Sequence, residues 1–89
     1  MDQATRYAGA LLRLAVTGAD GARPPADIRQ ILCTIADELR EGLRRVDEAV
    51  RLFVVWAGLS RADATRAAWW SRAASVAANI GPAQEVGHA

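Results

Sequence analysis

Apolar residues recur at alternating intervals of four and three through the middle of the chain, and this repeat constrains the fold more than any other feature. The repeat consists of Ile28, Leu32, Ile35, Leu39, Gly42, Val46, Ala49, Phe53 and Trp56. A heptad repeat of this kind predicts a helix that packs one side against other helices. The opposite positions are all polar: Gln30, Asp37, Arg44 and Arg51. The other side of the helix is therefore expected to face water.

Glycine and proline divide the chain into three predicted helices. The stretch 18–25 contains the turn signal Asp20-Gly21 and a proline pair, and it has no apolar period, so it predicts a surface loop. Gly81 and Pro82 predict the end of the last helix. We expect an all-α domain over residues 1–82, an antiparallel bundle with helices at about 3–17, 25–57 and 61–80, followed by a flexible tail at 83–89.

The predicted helix 25–57 would be a long, continuous central helix. Its polar side carries three pairs of opposite charge at i,i+4: Glu41 with Arg45, Arg44 with Glu48, and Asp47 with Arg51. Gly42 lies inside this helix, where a glycine costs about 1 kcal/mol relative to alanine. Because Ala49 follows one heptad later on the same side, we expect the two small residues to form a groove that receives a large side chain.

The two flanking helices are each too short to cover the whole central helix. Apolar surface on Leu43, Val50, Val54 and Val55 is therefore expected to need a partner, and a second copy of the chain is the simplest one. Trp69 and Trp70 are adjacent and thus about 100° apart on a helix, so they are not expected to face the same core. We predict a protein-binding surface that includes these four aliphatic residues together with Trp70 and Arg66.

Charge and composition exclude several classes of function. Eleven basic and ten acidic residues give a net charge of +1, which does not favour an extended phosphate-binding surface. One cysteine and one histidine cannot form a Cys/His zinc cluster, and no nucleophile, base and orienting group can be assembled. We therefore expect no catalytic residues, no metal, no cofactor and no small-molecule substrate.

Residue usage and hydropathy suggest a source and a compartment. All basic residues are arginine and alanine is the commonest residue, a bias typical of GC-rich bacterial or phage coding sequences. No secretion signal is recognisable, and the most apolar stretch, 52–59, is too short to span a bilayer. A cytoplasmic protein without membrane association is expected.

The run 57–66, Ala-Gly-Leu-Ser-Arg-Ala-Asp-Ala-Thr-Arg, resembles the turn and early recognition helix of a helix-turn-helix repressor. The resemblance implies that the second helix enters the major groove of DNA. Its candidate contacts would be Ser60, Arg61, Thr65 and Arg66. A capped helical hairpin produces the same string without DNA, so nucleic acid is a possible partner but not the favoured one.

A second resemblance is carried by Trp56-Ala-Gly58, which falls near the predicted turn between two helices. It is similar to the Trp-x-Gly motif of the small helical-hairpin proteins that the type VII pathway secretes. That resemblance would imply a secreted protein.

The function that these observations favour is a non-enzymatic protein–protein interaction module. We expect it to be a homodimer that also binds another protein, as an adaptor, an inhibitor or an assembly subunit of a larger bacterial or phage system. The helix-turn-helix regulator and the secreted Trp-x-Gly protein are the alternatives.

Overall fold

In the computed structural model, which describes residues 2–80, the chain is all-helical. Its four helices within that range are α1 (Gln3–Thr17), α2 (Ala26–Arg40), α3 (Val46–Leu59) and α4 (Ala64–Ile80). The helix predicted at 3–17 is confirmed. The long helix predicted at 25–57 is wrong, because α2 and α3 replace it and the three-helix description becomes four helices. The predicted tail 83–89 lies outside the described residues.

Gly42 ends α2 instead of lying inside a longer helix. Its φ of +75° places it in the left-handed region, where glycine has no steric penalty. The Gly42 N–H donates to the Leu39 carbonyl and the Leu43 N–H donates to the Glu38 carbonyl, at 3.3 and 2.9 Å. These two bonds form a Schellman motif. The predicted groove at Gly42 is therefore wrong, and the space around its Cα is open.

The segment 41–45 is fixed by polar contacts that differ from those of a continuous helix. Arg44 Nε donates to Glu38 Oε1 across the break at 2.7 Å. Glu48 Oε1 accepts from the Arg45 N–H at 3.0 Å, which caps the start of α3. The ion pairs of Arg44 and Arg45 are thus made with Glu38 and Asp47 rather than with the predicted i,i+4 partners.

The loop 18–25 contains the turn that its sequence predicts. Asp20 and Gly21 both have positive φ, and Ala19 and Ala22 exchange two backbone hydrogen bonds of 2.8 and 2.9 Å around them. This pattern is a type I′ turn, for which Asp-Gly is a favoured pair. Gly18 caps α1 at φ +78°, and its N–H donates to the Leu14 carbonyl.

The start of α4 differs from the prediction by one turn. Asp63 is its N-cap, since Asp63 Oδ1 accepts from the Arg66 N–H at 3.1 Å. Ser60, the residue before the predicted start at 61, lies at the C-cap of α3. The helix therefore begins at Ala64 rather than at 61.

The four helices form two hairpins that pack together through α1 and α4. Helices α1 and α2 pack along their lengths, as do α3 and α4, whereas α2 and α3 barely touch within residues 2–80. Tyr7 lies where the hairpins meet: it is 0% exposed, and its O–H donates to the Ala73 carbonyl of α4 at 2.8 Å. Most of the predicted heptad stripe is buried, including Leu32 of α2 and Phe53 of α3, whereas Gly42 is exposed.

Both adjacent tryptophans are buried, contrary to the expectation that only one could face a core. Trp69 is 8% exposed and Trp70 is 3% exposed. Helix α4 lies against α3 on one side and against the α1–α2 hairpin on another. Trp70 stacks on Phe53 at a centroid distance of 5.8 Å, with an interplanar angle of 14°. A helix between two neighbours can bury residues that are about 100° apart.

We predict that Gly18→Ala destabilises the fold and that Gly9→Ala does not. A Cβ at Gly18 would overlap the Ala22 carbonyl oxygen and would also require a positive φ. The expected loss is at least about 2 kcal/mol in the free energy of unfolding. Gly9 is inside α1 with open space around it, so its replacement should add about 0.5–1 kcal/mol. Urea unfolding followed by circular dichroism measures both variants, and equal effects would contradict the prediction.

We predict that Tyr7→Phe lowers the free energy of unfolding by about 1 kcal/mol, because one buried hydrogen bond is lost. Burial raises the pKa of Tyr7 above its ordinary value. The neutral phenol is therefore favoured in the folded state, and this contribution to stability is present below about pH 10 and lost as the pH rises further.

The pH arm of this prediction is checked by urea unfolding of the wild type and Tyr7→Phe at neutral pH and above pH 10. The wild type should lose more stability on the alkaline side than the variant does. Parallel losses would show that Tyr7 is not responsible.

Candidate interaction surface

Among residues 2–80, three large apolar side chains that remain exposed lie together on α3. Val54 is 56% exposed, Val55 is 48% exposed and Leu59 is 79% exposed. They are exposed because α3 packs mainly against α4 and has no neighbour on its outer side within residues 2–80. With Gly58 between them on the helix surface, they form a continuous group, and we call Val54, Val55, Gly58 and Leu59 the α3 patch.

Gly58 is in the last turn of α3 and is exposed. Nothing lies within 4 Å of the position that a Cβ would take, so no contact among the described residues requires a glycine there. A glycine inside a helix costs about 1 kcal/mol relative to alanine. The result is a smooth surface one turn beyond Val54, beside Leu59, on which another backbone could approach closely.

The sequence predicted some of these residues and missed others. Val54 and Val55 were predicted as binding residues and are exposed. Leu59 and Gly58 were missed because both were assigned to a turn, although α3 continues through Leu59. The signal for Leu59 was its position four residues after Val55, which places both on the same side of a helix.

The other two aliphatic residues of the predicted surface are not part of the patch, although Val50 is four residues before Val54 and borders it on the same side of α3. Leu43 is 73% exposed, but it is in the segment that precedes α3, more than two helical turns before Val54. Val50 is half-buried and packs against the core. The structure thus does not bring either residue into the α3 patch.

Trp70 and Arg66 are both engaged within the chain. Trp70 contacts Trp56 at a centroid distance of 4.9 Å in addition to its stack on Phe53. Arg66 Nη1 lies 2.8 Å from Asp27 Oδ2 of α2. The Arg66 hydrogen bond, as the largest cause, holds the pKa of Asp27 below its ordinary value. Both predicted binding residues therefore hold helices together in this structure.

The residues of the helix-turn-helix alternative do not form a common surface with the expected geometry. Arg61 and Thr65 are exposed, whereas Ser60 is half-buried at the end of α3 and Arg66 is paired with Asp27. Helices α3 and α4 pack side by side along their lengths. The helices of a DNA-binding helix-turn-helix instead cross at about 90–120°.

The Trp-x-Gly segment also has a local structure of its own. Trp56 and Gly58 are both inside α3, and the turn to α4 follows at 60–63. Trp56 contacts Phe53 edge-on at a centroid distance of 5.8 Å, so it is part of the aromatic packing between α3 and α4. The expected position of the motif at the helix–helix turn is therefore not observed.

Residues 2–80 contain neither a candidate metal site nor a helix that could span a membrane. There, no three histidine, cysteine, aspartate or glutamate side chains are grouped in a way that could hold a metal ion. In the same residues, no helix has the length and apolar character needed to cross a bilayer. The α3 patch is thus the candidate site that the geometry supports best.

No protein-family profile, no curated protein and no solved structure matches this chain.

Proposed function

We propose that this protein is a non-enzymatic protein–protein interaction module whose binding surface is the α3 patch. The observation that carries the proposal is the exposure of Val54, Val55 and Leu59 on one helix, at 56%, 48% and 79%. Exposed aliphatic groups on a helix with an otherwise buried core are typical of surfaces that bind another protein. An adaptor, an inhibitor or an assembly subunit of a bacterial or phage system fits such a surface.

We also propose that the protein acts in the cytoplasm. Self-association is one way in which the patch would be covered. A single isologous contact on α3 would give a dimer. The fold does not depend on that contact, because the core residues Tyr7, Phe53 and Trp70 are buried within one chain. Dimerisation would therefore cover the surface without completing the core.

We predict that the double variant Val55→Gln with Leu59→Gln loses binding while the fold is retained. Both side chains are exposed, so polar amides should leave the free energy of unfolding within about 0.5 kcal/mol. Each buried aliphatic contact contributes about 1.5–3 kcal/mol at an interface, so affinity should fall by at least about tenfold.

Val16→Gln is the matched control, since Val16 is 65% exposed and lies on α1 rather than on the patch. Cell proteins that bind to the immobilised wild type are purified and titrated against the wild type, the double variant and Val16→Gln. Sedimentation equilibrium of the same three proteins measures self-association. The proposal predicts loss of binding or of self-association for the double variant alone. Equal behaviour of both variants, or a wild type with neither kind of association, would contradict it.

A further inference from the structure

We infer that the α3 patch receives an amphipathic helix of another protein whose apolar stripe is flanked by acidic residues. This inference rests on the proposed function and specifies the chemistry of the partner. Three observations carry it: the charge around the patch, the small size of the patch, and the smooth surface at Gly58.

The acidic groups near the patch are already engaged within the chain. Asp47 Oδ1 accepts from the Glu48 N–H at 3.0 Å and lies 3.4 Å from Arg45 Nε. Glu48 accepts from the Arg45 N–H. At the other end, Asp63 caps α4 through the Arg66 N–H. All three carboxylates accept hydrogen bonds from backbone N–H groups, and Asp47 is also paired with an arginine side chain.

The basic groups at the two ends of the patch are not engaged in this way. Arg51 precedes Val54 by three residues on α3, and Arg61 follows Leu59 by two. Both are exposed, and residues 2–80 provide no ion pair for either of them. The uncommitted charge around the patch is therefore positive at both ends, which complements a partner that presents carboxylates beside its apolar side chains.

A second copy of the chain fits this charge pattern poorly. In an antiparallel contact centred on the patch, Arg51 of one copy would lie opposite Arg61 of the other, and this would occur twice. In a parallel contact each arginine would lie opposite its own equivalent. Either arrangement places like charges across the contact, whereas an acidic partner places opposite charges there.

The size and shape of the patch also favour a single helix over a second domain. A stable protein–protein interface uses roughly 20–30 residues a side, and the patch has only Val54, Val55, Gly58 and Leu59. These residues follow one helix over about one and a half turns. A helix that supplies anchors at i, i+3 or i+4 and i+7 is long enough to cover them, and Gly58 permits its close approach.

The experiment is a selection from a display library of helical peptides on the full protein. Every peptide carries leucine at i, i+4 and i+7, and the flanking positions are randomised among Glu, Gln and Lys. We expect selection on the wild type to enrich Glu at the flanks. The enriched peptide is then titrated against the wild type and against Arg51→Glu with Arg61→Glu, for which we expect an affinity at least about tenfold weaker.

Two further variants of the chain serve as controls. Arg29→Glu changes a charge on α2, away from the patch, and should leave the affinity within about twofold. Val55→Gln with Leu59→Gln should abolish selection, which shows that the patch itself is occupied.

The possible outcomes distinguish failure of the inference from failure of the proposed function. Enrichment of Glu that depends on Arg51 and Arg61 supports the inference. Peptides selected through the patch without a preference for Glu, or with a preference for Lys, would overturn the inference and leave the proposed function standing. Self-association through the patch that is stronger than peptide binding would also overturn it in favour of a second copy. If no peptide is selected, the inference is overturned. If the wild type also retains no cellular protein and does not self-associate, the proposed function is overturned with it.

Discussion

The left-handed conformation of Gly42 determines how the rest of the chain is arranged. It ends α2 through two backbone hydrogen bonds and directs the chain into a separate helix. The apolar stripe that begins at Ile28 is thereby divided between two hairpins. If the helix continued, α3 would extend beyond α1 as part of a rod; with the break, it packs against α4 and has one side without a neighbour. The exposure of the α3 patch follows from this arrangement.

Helix α4 connects the two hairpins by contacts of different strength. Its buried aromatic side chains and the Tyr7 hydrogen bond lie in the core, where packing and desolvation make each contact expensive to lose. The ion pairs of Arg66 with Asp27 and of Arg72 with Asp20 lie at the surface. Solvent screens such pairs, so they contribute little to stability.

Local signals in the sequence predicted the structure well where they were strong and unopposed. The helix at 3–17 and the Asp20-Gly21 turn are confirmed, since both depend on neighbouring residues. The central helix was predicted wrongly because apolar residues at spacings of four and three do not show whether the backbone between them is interrupted. Gly42 was recognised as exceptional, but its φ depends on the Schellman bonds, which a sequence pattern does not show.

The candidate site was only partly predictable for a similar reason. Exposure of Val54 and Val55 followed from the excess of apolar residues, but the burial of Trp70 depends on α4 having two neighbours, which required the tertiary arrangement. Arg66 was likewise predicted for a partner, whereas Asp27 of the same chain binds it. Sequence reasoning therefore identified an apolar excess without assigning which residues the fold itself would use.

The separation between the core and the α3 patch has a consequence for how such a protein can change over generations. The residues that keep the chain folded are almost all buried, and those at the patch make few contacts within it. Substitutions at the patch and at its two flanking arginines can therefore accumulate at little energetic penalty to folding. A scaffold of this kind can acquire a new binding specificity by altering a few surface positions while its architecture stays constant.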